Sequence, residues 1–439
     1  MRSTLLRDSA VGPTRLGIGF GVIALLGRWL TGLNIVDSPQ ALMRYGLYGS
    51  LGYSLATAFS LMLFGWLGQN VRRRSPGLTS WGEWLKAKLT PAGTRLLTGL
   101  FAVLLLEAVL LQGMVAGFFF HKLFALPEMI GRATFIAFSS MLAGYIGLKK
   151  LYHLAVPQVI LTLGVAIILP LFYFIRQGVD PVYSGIRLYH PYMLVIDNHA
   201  AFLFIATGIW VGLGQVISDP ATWERSFHID RSKMVPAFIM SGLIYATVLM
   251  AFLLLVMVAI HSGGLADEPS LIYPLLSVTR SPVLFGLMVT CLLTMFAVSY
   301  ISRFQALLSL CMETFADAAT RGKQIRNVYI GLAAVVATIM SIGISITPIQ
   351  ILYLFGAFQA CMLGPMLLLS FSNKQVHGIA LPLIAFVGWS TWSILHKLGT
   401  YSGLERIWIS GIMSSALSCI YLFVAQESPS DKKASGETF

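Results

Sequence analysis

Charge is scarce in this chain. Only 11% of its 439 residues are Asp, Glu, Lys or Arg, against 56% hydrophobic, and the mean hydropathy is +0.78. A soluble globule of this composition would lack the polar side chains to cover its surface, so the sequence reads as an all-α integral membrane protein. Acid is scarcer than base, 18 Asp and Glu against 30 Lys and Arg. The surplus does not point to nucleic acid, because the basic residues are spread over short segments between apolar runs rather than gathered in one patch. Cysteine is rare as well. Cys291, Cys311, Cys361 and Cys419 all fall inside apolar runs with neither ligand nor paired-loop spacing, which argues against a disulfide framework or a thiolate metal site. No two of His121, His153, His199 and His228 have metal-ligand spacing on a helix. A P-loop, a nucleophile elbow, an H-E-x-x-H helix and a glycine-rich dinucleotide fingerprint are all missing, so neither ATP-driven transport nor an enzyme is indicated.

Long apolar runs are what the chain does have. Stretches of spanning length fall at about 14–33, 46–70, 94–118, 131–148, 154–175, 198–217, 234–261, 282–312, 325–345, 348–372, 378–398 and 406–425, giving an expectation of about twelve transmembrane helices. With the amino terminus inside, most of the Lys and Arg fall on the cytoplasmic side, Arg72-Arg73-Arg74, Lys149-Lys150, Arg321, Lys323, Arg326 and Lys432-Lys433 among them. The protein is thus expected to sit in a cytoplasmic (inner) membrane of bacterial type with both termini cytoplasmic. The run after Arg7 and Arg15 lacks a cleavage site and reads as the first span, not a signal peptide. Between spans, Ser80 to Leu85 reads as a short amphipathic element, 176–197 as an external loop, and 427–439 as a disordered polar tail.

One run stands apart. From Gly208 to Lys233 the chain reads GIWVGLGQVISDPATWERSFHIDRSK, an apolar helix loosened by Gly212-Leu213-Gly214 before polar Gln215 and Ser218. Asp219-Pro220 then reads as the N-cap and first-turn proline of a new short helix. A helix broken in lipid is tolerated where it lines a cavity or packs on protein, so a ligand is expected at the break.

Several stretches resemble the sodium:solute symporter family. Gly49-Ser50-Leu51-Gly52-Tyr53-Ser54, Arg72-Arg73-Arg74 and Thr79 to Leu85 are similar to its second span, basic turn and following element. Gln112, Gly147-Leu148-Lys149-Lys150 and Gln158 fall where the family has comparable residues, Asp219 to Arg225 resembles the turn after its sixth span, and Leu363-Gly364-Pro365 with 372–377 resembles its tenth. The resemblance implies a LeuT-type fold with a 5+5 inverted repeat. A first repeat at 14–175 would follow a cytoplasmic terminus at 1–13, with a second repeat at 198–372 and two extra C-terminal helices at 373–426. Substrate would sit at paired breaks, here Gly27 to Gly32 and Gly212 to Gln215. The family's Thr-Asp pair in the fifth span falls on Leu154-Ala155, and its oxygen-rich eighth-span motif falls on Val298 to Ser302, where only Ser299 and Ser302 keep hydroxyls. The sodium site the resemblance implies is therefore short of ligands.

Candidate site residues follow. Arg28 is deep in the first span, where a charge is costly unless it faces the interior or a partner. It either binds an anionic group bidentately or pairs with Glu107. Glu107 is then either a proton carrier or a structural partner. Arg303, one turn from Ser299, either replaces the missing cation between spans one and eight, or snorkels to the inner interface or pairs with Glu313. Trp29, Trp210 and Tyr300 are candidates to stack on a substrate, or else pack. Gln112 and Gln215 need partners at mid-depth, from a solute or from a neighbouring helix. Gly212 and Gly214 line the expected break, and Asp219, Glu224 and Arg225 form a gate or a simple cap. The expected function is secondary import of a small polar organic solute, an anionic one being favoured by Arg28, coupled to Na⁺ or H⁺ with no other cofactor. A Na⁺-independent exchanger, an H⁺ symporter and a solute sensor on the same fold are the alternatives. The lipid bilayer and the solute are the partners expected.

Overall fold

The computed structural model describes residues 16–78, 80–146, 148–195, 198–261, 281–315, 328–333, 335–337, 339, 348–372, 379–399 and 401–427. These residues are overwhelmingly helical, and their pairing outside helices includes one isolated bridge, Leu16 to Ile229. The helices are α1 (Ile18–Trp29), α2 (Gly32–Arg74), α3 (Trp81–Lys88), α4 (Pro91–Phe124), α5 (Glu128–Tyr145), α6 (Leu148–Gln177), α7 (Val179–Tyr189), α8 (His199–Ile217), α9 (Pro220–His228), α10 (Met234–Ile260), α11 (Pro282–Phe315), α12 (Pro348–Phe371), α13 (Ala380–Leu398) and α14 (Gly403–Glu427).

Eight helices among the described residues are long and apolar enough to cross a membrane: those within α2, α4, α6, α8, α10, α11, α12 and α14. The expectation of twelve differs in instructive ways. The first run is not one continuous helix. α1 has 12 residues, too few to span alone, and after Leu30 and Thr31 the chain enters α2, which is kinked at Gly46 with φ 70°. A side chain at Gly46 would lie 2.8 Å from the Met193 carbonyl oxygen, so both the left-handed turn and the close approach require glycine. The runs at 131–148 and 378–398 form α5 and α13, and much of the run at 325–345 lies outside the described residues, as does the tail from 428.

Local chemistry fixes the boundaries. α4 starts where the Thr90 side chain accepts from the Gly93 amide at 3.4 Å with Pro91 in the first turn, and α3 starts at Ser80, which accepts from the Glu83 amide at 3.2 Å. α2 packs along α10 and α8, α12 along α14 and α8, and α11 against α4 and α6. In lipid, apolar burial does not drive helices together, and close van der Waals approach does. A Cβ on Gly27 would sit 2.5 Å from the Ala155 methyl, so α1 and α6 touch at backbone distance. The bundle therefore has one end carrying α3 and α9 and an opposite end carrying α7, with α8 running between them.

Candidate functional site: two helix breaks beneath a central cavity

The break in α8 lies beyond Gly212–Gln215, where the sequence places it. The helix is intact through Ile217, and the chain leaves helical geometry at Ser218 and Asp219. The glycines serve packing instead: a Cβ on Gly214 would meet the Gln359 carbonyl oxygen at 2.1 Å and one on Gly212 the Ser60 hydroxyl at 2.7 Å. Proline decides the break, since Pro220 has no amide to continue the helix and the Asp219 carboxylate caps α9 through the Thr222 amide at 2.9 Å.

The two breaks are clasped to one another. Arg28, in the last turn of α1, donates to the other oxygen of Asp219 at 2.6 Å, with both side chains 5% exposed. Trp29 Nε1 donates to the Thr222 hydroxyl at 3.1 Å, and the Arg28 guanidinium lies 5.4 Å from the Trp29 ring centroid. Arg28 therefore pairs with Asp219 rather than with Glu107. A guanidinium one bond from a buried carboxylate is already neutralised, and nothing in sequence spacing links positions 191 apart.

Below the clasp, Arg225 braces three helices. Its Nε donates to the Ala24 carbonyl of α1 at 3.0 Å, its Nη1 to the Ala221 carbonyl of its own helix at 2.9 Å, and its Nη2 to the Ser302 hydroxyl of α11 at 2.8 Å. The guanidinium joining α1 to α11 thus belongs to Arg225 and not to Arg303, as the spacing from Ser299 suggests. Ser302 faces α9, while Arg303 reaches the opposite way, its Nη1 donating to the Ala108 carbonyl of α4 at 3.1 Å. Glu313, its other expected partner, lies outside the described side chains. Glu224 is half-buried on α9, and its carbonyl bonds His228 Nδ1 at 2.8 Å.

The α9 end is sealed further. Trp223 of α9 stacks on Trp81 and Trp84 of α3 at ring separations of 4.5 and 5.5 Å. Arg72 donates to the Ser226 and Ile229 carbonyls at the end of α9. Arg74 and Lys88 donate to the Phe371 and Ser372 carbonyls at the end of α12, which complements the negative pole of that helix. Burial, and behind it the Arg74 charge, holds the Lys88 ammonium below the ordinary lysine range.

Above the clasp lies a cavity of about 180 Å³. Trp29, Gly212 and Gln215 line it, together with Glu107 and Arg303, each about 95% buried. Arg28, Gln112, Trp210, Gly214, Ser299 and Ser302 are not among its lining residues. Gln112 is fully buried with neither amide atom partnered among the described residues, and the Ser299 hydroxyl likewise has no partner among them. Trp210 packs on Trp408 at 5.0 Å, and Tyr300 shares a 2.7 Å hydrogen bond with Ser140. Sequence reasoning missed Arg44, Gln359 and Tyr353, which also line it. Arg44 is exposed, bonded to the Tyr353 hydroxyl at 3.1 Å. It sits near the Gly46 kink, which Met193 covers, so the cavity opens toward the α7 end. Among the described residues no cluster of His, Cys, Asp and Glu could hold a metal.

No protein-family model and no curated protein matches the sequence. Solved structures do match in fold. An Na⁺-coupled sialic acid symporter in a substrate-bound outward-open state superposes with a TM-score of 0.74 at 13% identity, covering 96% of this chain and 93% of its own. Mhp1, a nucleobase-cation-symport-1 family transporter closed around bromovinylhydantoin, superposes with a TM-score of 0.64 at 12% identity, covering 94% and 95%. The chain thus has the LeuT-type transporter fold over nearly its whole length.

Proposed function

We propose that this protein is a secondary active transporter of the sodium:solute symporter type that moves a small polar organic solute by alternating access. The observation carrying this reading is the clasp. Two helices of a membrane bundle are interrupted at one level, the interruptions are tied together by Arg28 and Asp219, and a cavity lies directly above them with its opposite side sealed. Broken helices meeting at mid-depth are the general device of such transporters. The helices from α1 to α6 and from α8 to α12, with the partly described stretch between α11 and α12, form the two inverted repeats in this reading, and α13 and α14 are additions.

Trp29, Gln215, Glu107 and Arg303 face the solute, and Arg303 rather than Arg28 is the anchor for a carboxylate. Arg28, Gln112, Trp210, Gly214 and Ser299 support the site from behind. Asp219, Glu224, Arg225 and Ser302 belong to the gate below. The Arg225 bridge favours a second reading of the coupling. Its guanidinium occupies oxygens of α1 and α11, between the helices where the family resemblance implies sodium, so coupling to H⁺ or solute exchange fits this chain better than coupling to Na⁺.

The test is uptake of labelled amino acids, organic acids, sugars and polyols into proteoliposomes, with Na⁺ or choline outside and with or without a pH gradient. Accumulation of one solute class equal in Na⁺ and choline is expected. Uptake that requires Na⁺ would overturn the coupling assignment, and binding without accumulation by any gradient would make the protein a sensor instead.

A further inference from the structure

Below its mouth, the cavity presents one acid and one base. The Arg303 guanidinium spends Nη1 on the Ala108 carbonyl and leaves Nε without a partner among the described residues. Glu107, the residue before Ala108 on α4, lines the same cavity and accepts no hydrogen bond from any described residue. The two are not within 4.0 Å of one another as an ion pair, whereas the Arg28 and Asp219 charges nearby are. Glu107 and Arg303 are therefore held at one level, on neighbouring helices, and both line the cavity. The rest of the lining mixes apolar side chains such as Leu61, Leu111 and Val211 with hydroxyls such as Thr57, Ser60 and Tyr245.

We infer that the solute is a zwitterion, its carboxylate seated on Arg303 and its ammonium on Glu107. This rests on the transport reading only in taking the cavity as the solute site. A purely anionic solute would satisfy Arg303 and leave the Glu107 carboxylate without a counter-charge, and an amine would do the reverse to Arg303; each is a heavy penalty for side chains about 95% buried. An uncharged solute would gain from neither charge. A zwitterion pairs both groups at once through charge-assisted hydrogen bonds, and the pair of charges rejects analogues lacking either end.

The experiment is thermal stabilisation of the purified full-length protein, since a ligand of the folded state raises its stability by mass action. The probes are L-leucine and L-phenylalanine, the acids lacking the amine (isocaproate and hydrocinnamate), and the amines lacking the acid (isoamylamine and phenethylamine). A zwitterion should bind at least tenfold more tightly than both of its truncated counterparts. Glu107→Gln should abolish that preference, bringing leucine down to the level of isocaproate, while Glu107→Asp keeps it in weakened form. Arg303→Lys should weaken leucine and isocaproate alike. A truncated acid that binds as well as its parent, an amino acid whose binding Glu107→Gln leaves intact, or no stabilisation by either amino acid would overturn the inference. The wild-type comparison needs no variant to fold. Failure of accumulation in proteoliposomes would strike the transport reading and leave the binding result standing.

Discussion

Arg28 and Asp219 show how one contact can fix where a helix stops. Arg28 brings a charge to the end of α1, and Asp219 brings another to the start of α9, each 5% exposed. Removing one partner of a buried ion pair strands the other and costs about 3–5 kcal/mol, whereas removing both together is often near neutral. Asp219 also caps α9 through Thr222, so its loss adds about 1 kcal/mol for the missing cap. Asp219→Ala alone should therefore strongly destabilise the protein in a denaturation series, and Arg28→Met with Asp219→Ala should recover more than half of the loss. Additive effects of the two substitutions would show that the clasp is not energetically coupled. Neither the partner nor its energy was legible in the sequence. Arg28 is recognisable as a charge in need of a counter-charge, but the natural candidate in the sequence is Glu107, because the one-dimensional order gives no reason to prefer an aspartate already employed as an N-cap.

At the scale of elements, proline and glycine carried different amounts of information. Asp219-Pro220 specifies its own break through chemistry local to the dipeptide, a cap and a missing amide, and the break was readable to within a few residues. Gly212 and Gly214 read as a loosened helix yet sit in an intact one, since a glycine admits both unwinding and close packing and only the neighbour decides between them. The neighbour here is α12, whose Gln359 carbonyl oxygen would lie 2.1 Å from a Cβ on Gly214. Six residues earlier, a Cβ on Gly208 would meet only the Ala56 methyl at 3.6 Å and the Tyr53 ring at 3.7 Å, ordinary contact distances. Gly214→Ala should therefore force α8 from α12 and cost about 1–3 kcal/mol. Gly208→Ala should be neutral or gain up to about 1 kcal/mol from helix propensity, both read from thermal denaturation. Equal effects at the two positions would mean that the α8 to α12 contact is looser than described. The same limit hid Arg44: reading the first span as one straight helix ending near 33 left the second half of that broken span looking like a loop.

For the whole molecule, the arrangement of seals and charges predicts which face is open. The end bearing α9 carries Arg72, Arg73, Arg74, Lys86, Lys88, Arg231 and Lys233, and positive charge of this density marks a cytoplasmic face. The same end is closed by the Trp81, Trp84 and Trp223 stack and by the Arg225 bridge, while Arg44, an exposed lining residue of the cavity, lies at the other end beside the Gly46 kink. In the membrane this form should accordingly be closed inside and open outside. Two exposed positions separate the faces, Arg44 at the cavity mouth and Ser232 beside α9. In a background with Cys419, the exposed native thiol, replaced by Ser, Arg44→Cys should react with a membrane-impermeant maleimide added to intact cells. Ser232→Cys should react only after the cells are opened. The reverse pattern would invert the bundle in the bilayer and turn the same cavity into an exit toward the cytoplasm. Solute that protects Arg44→Cys from the reagent would then tie the open mouth to the binding level between Glu107 and Arg303, because closure over an occupied cavity is the step that alternating access requires.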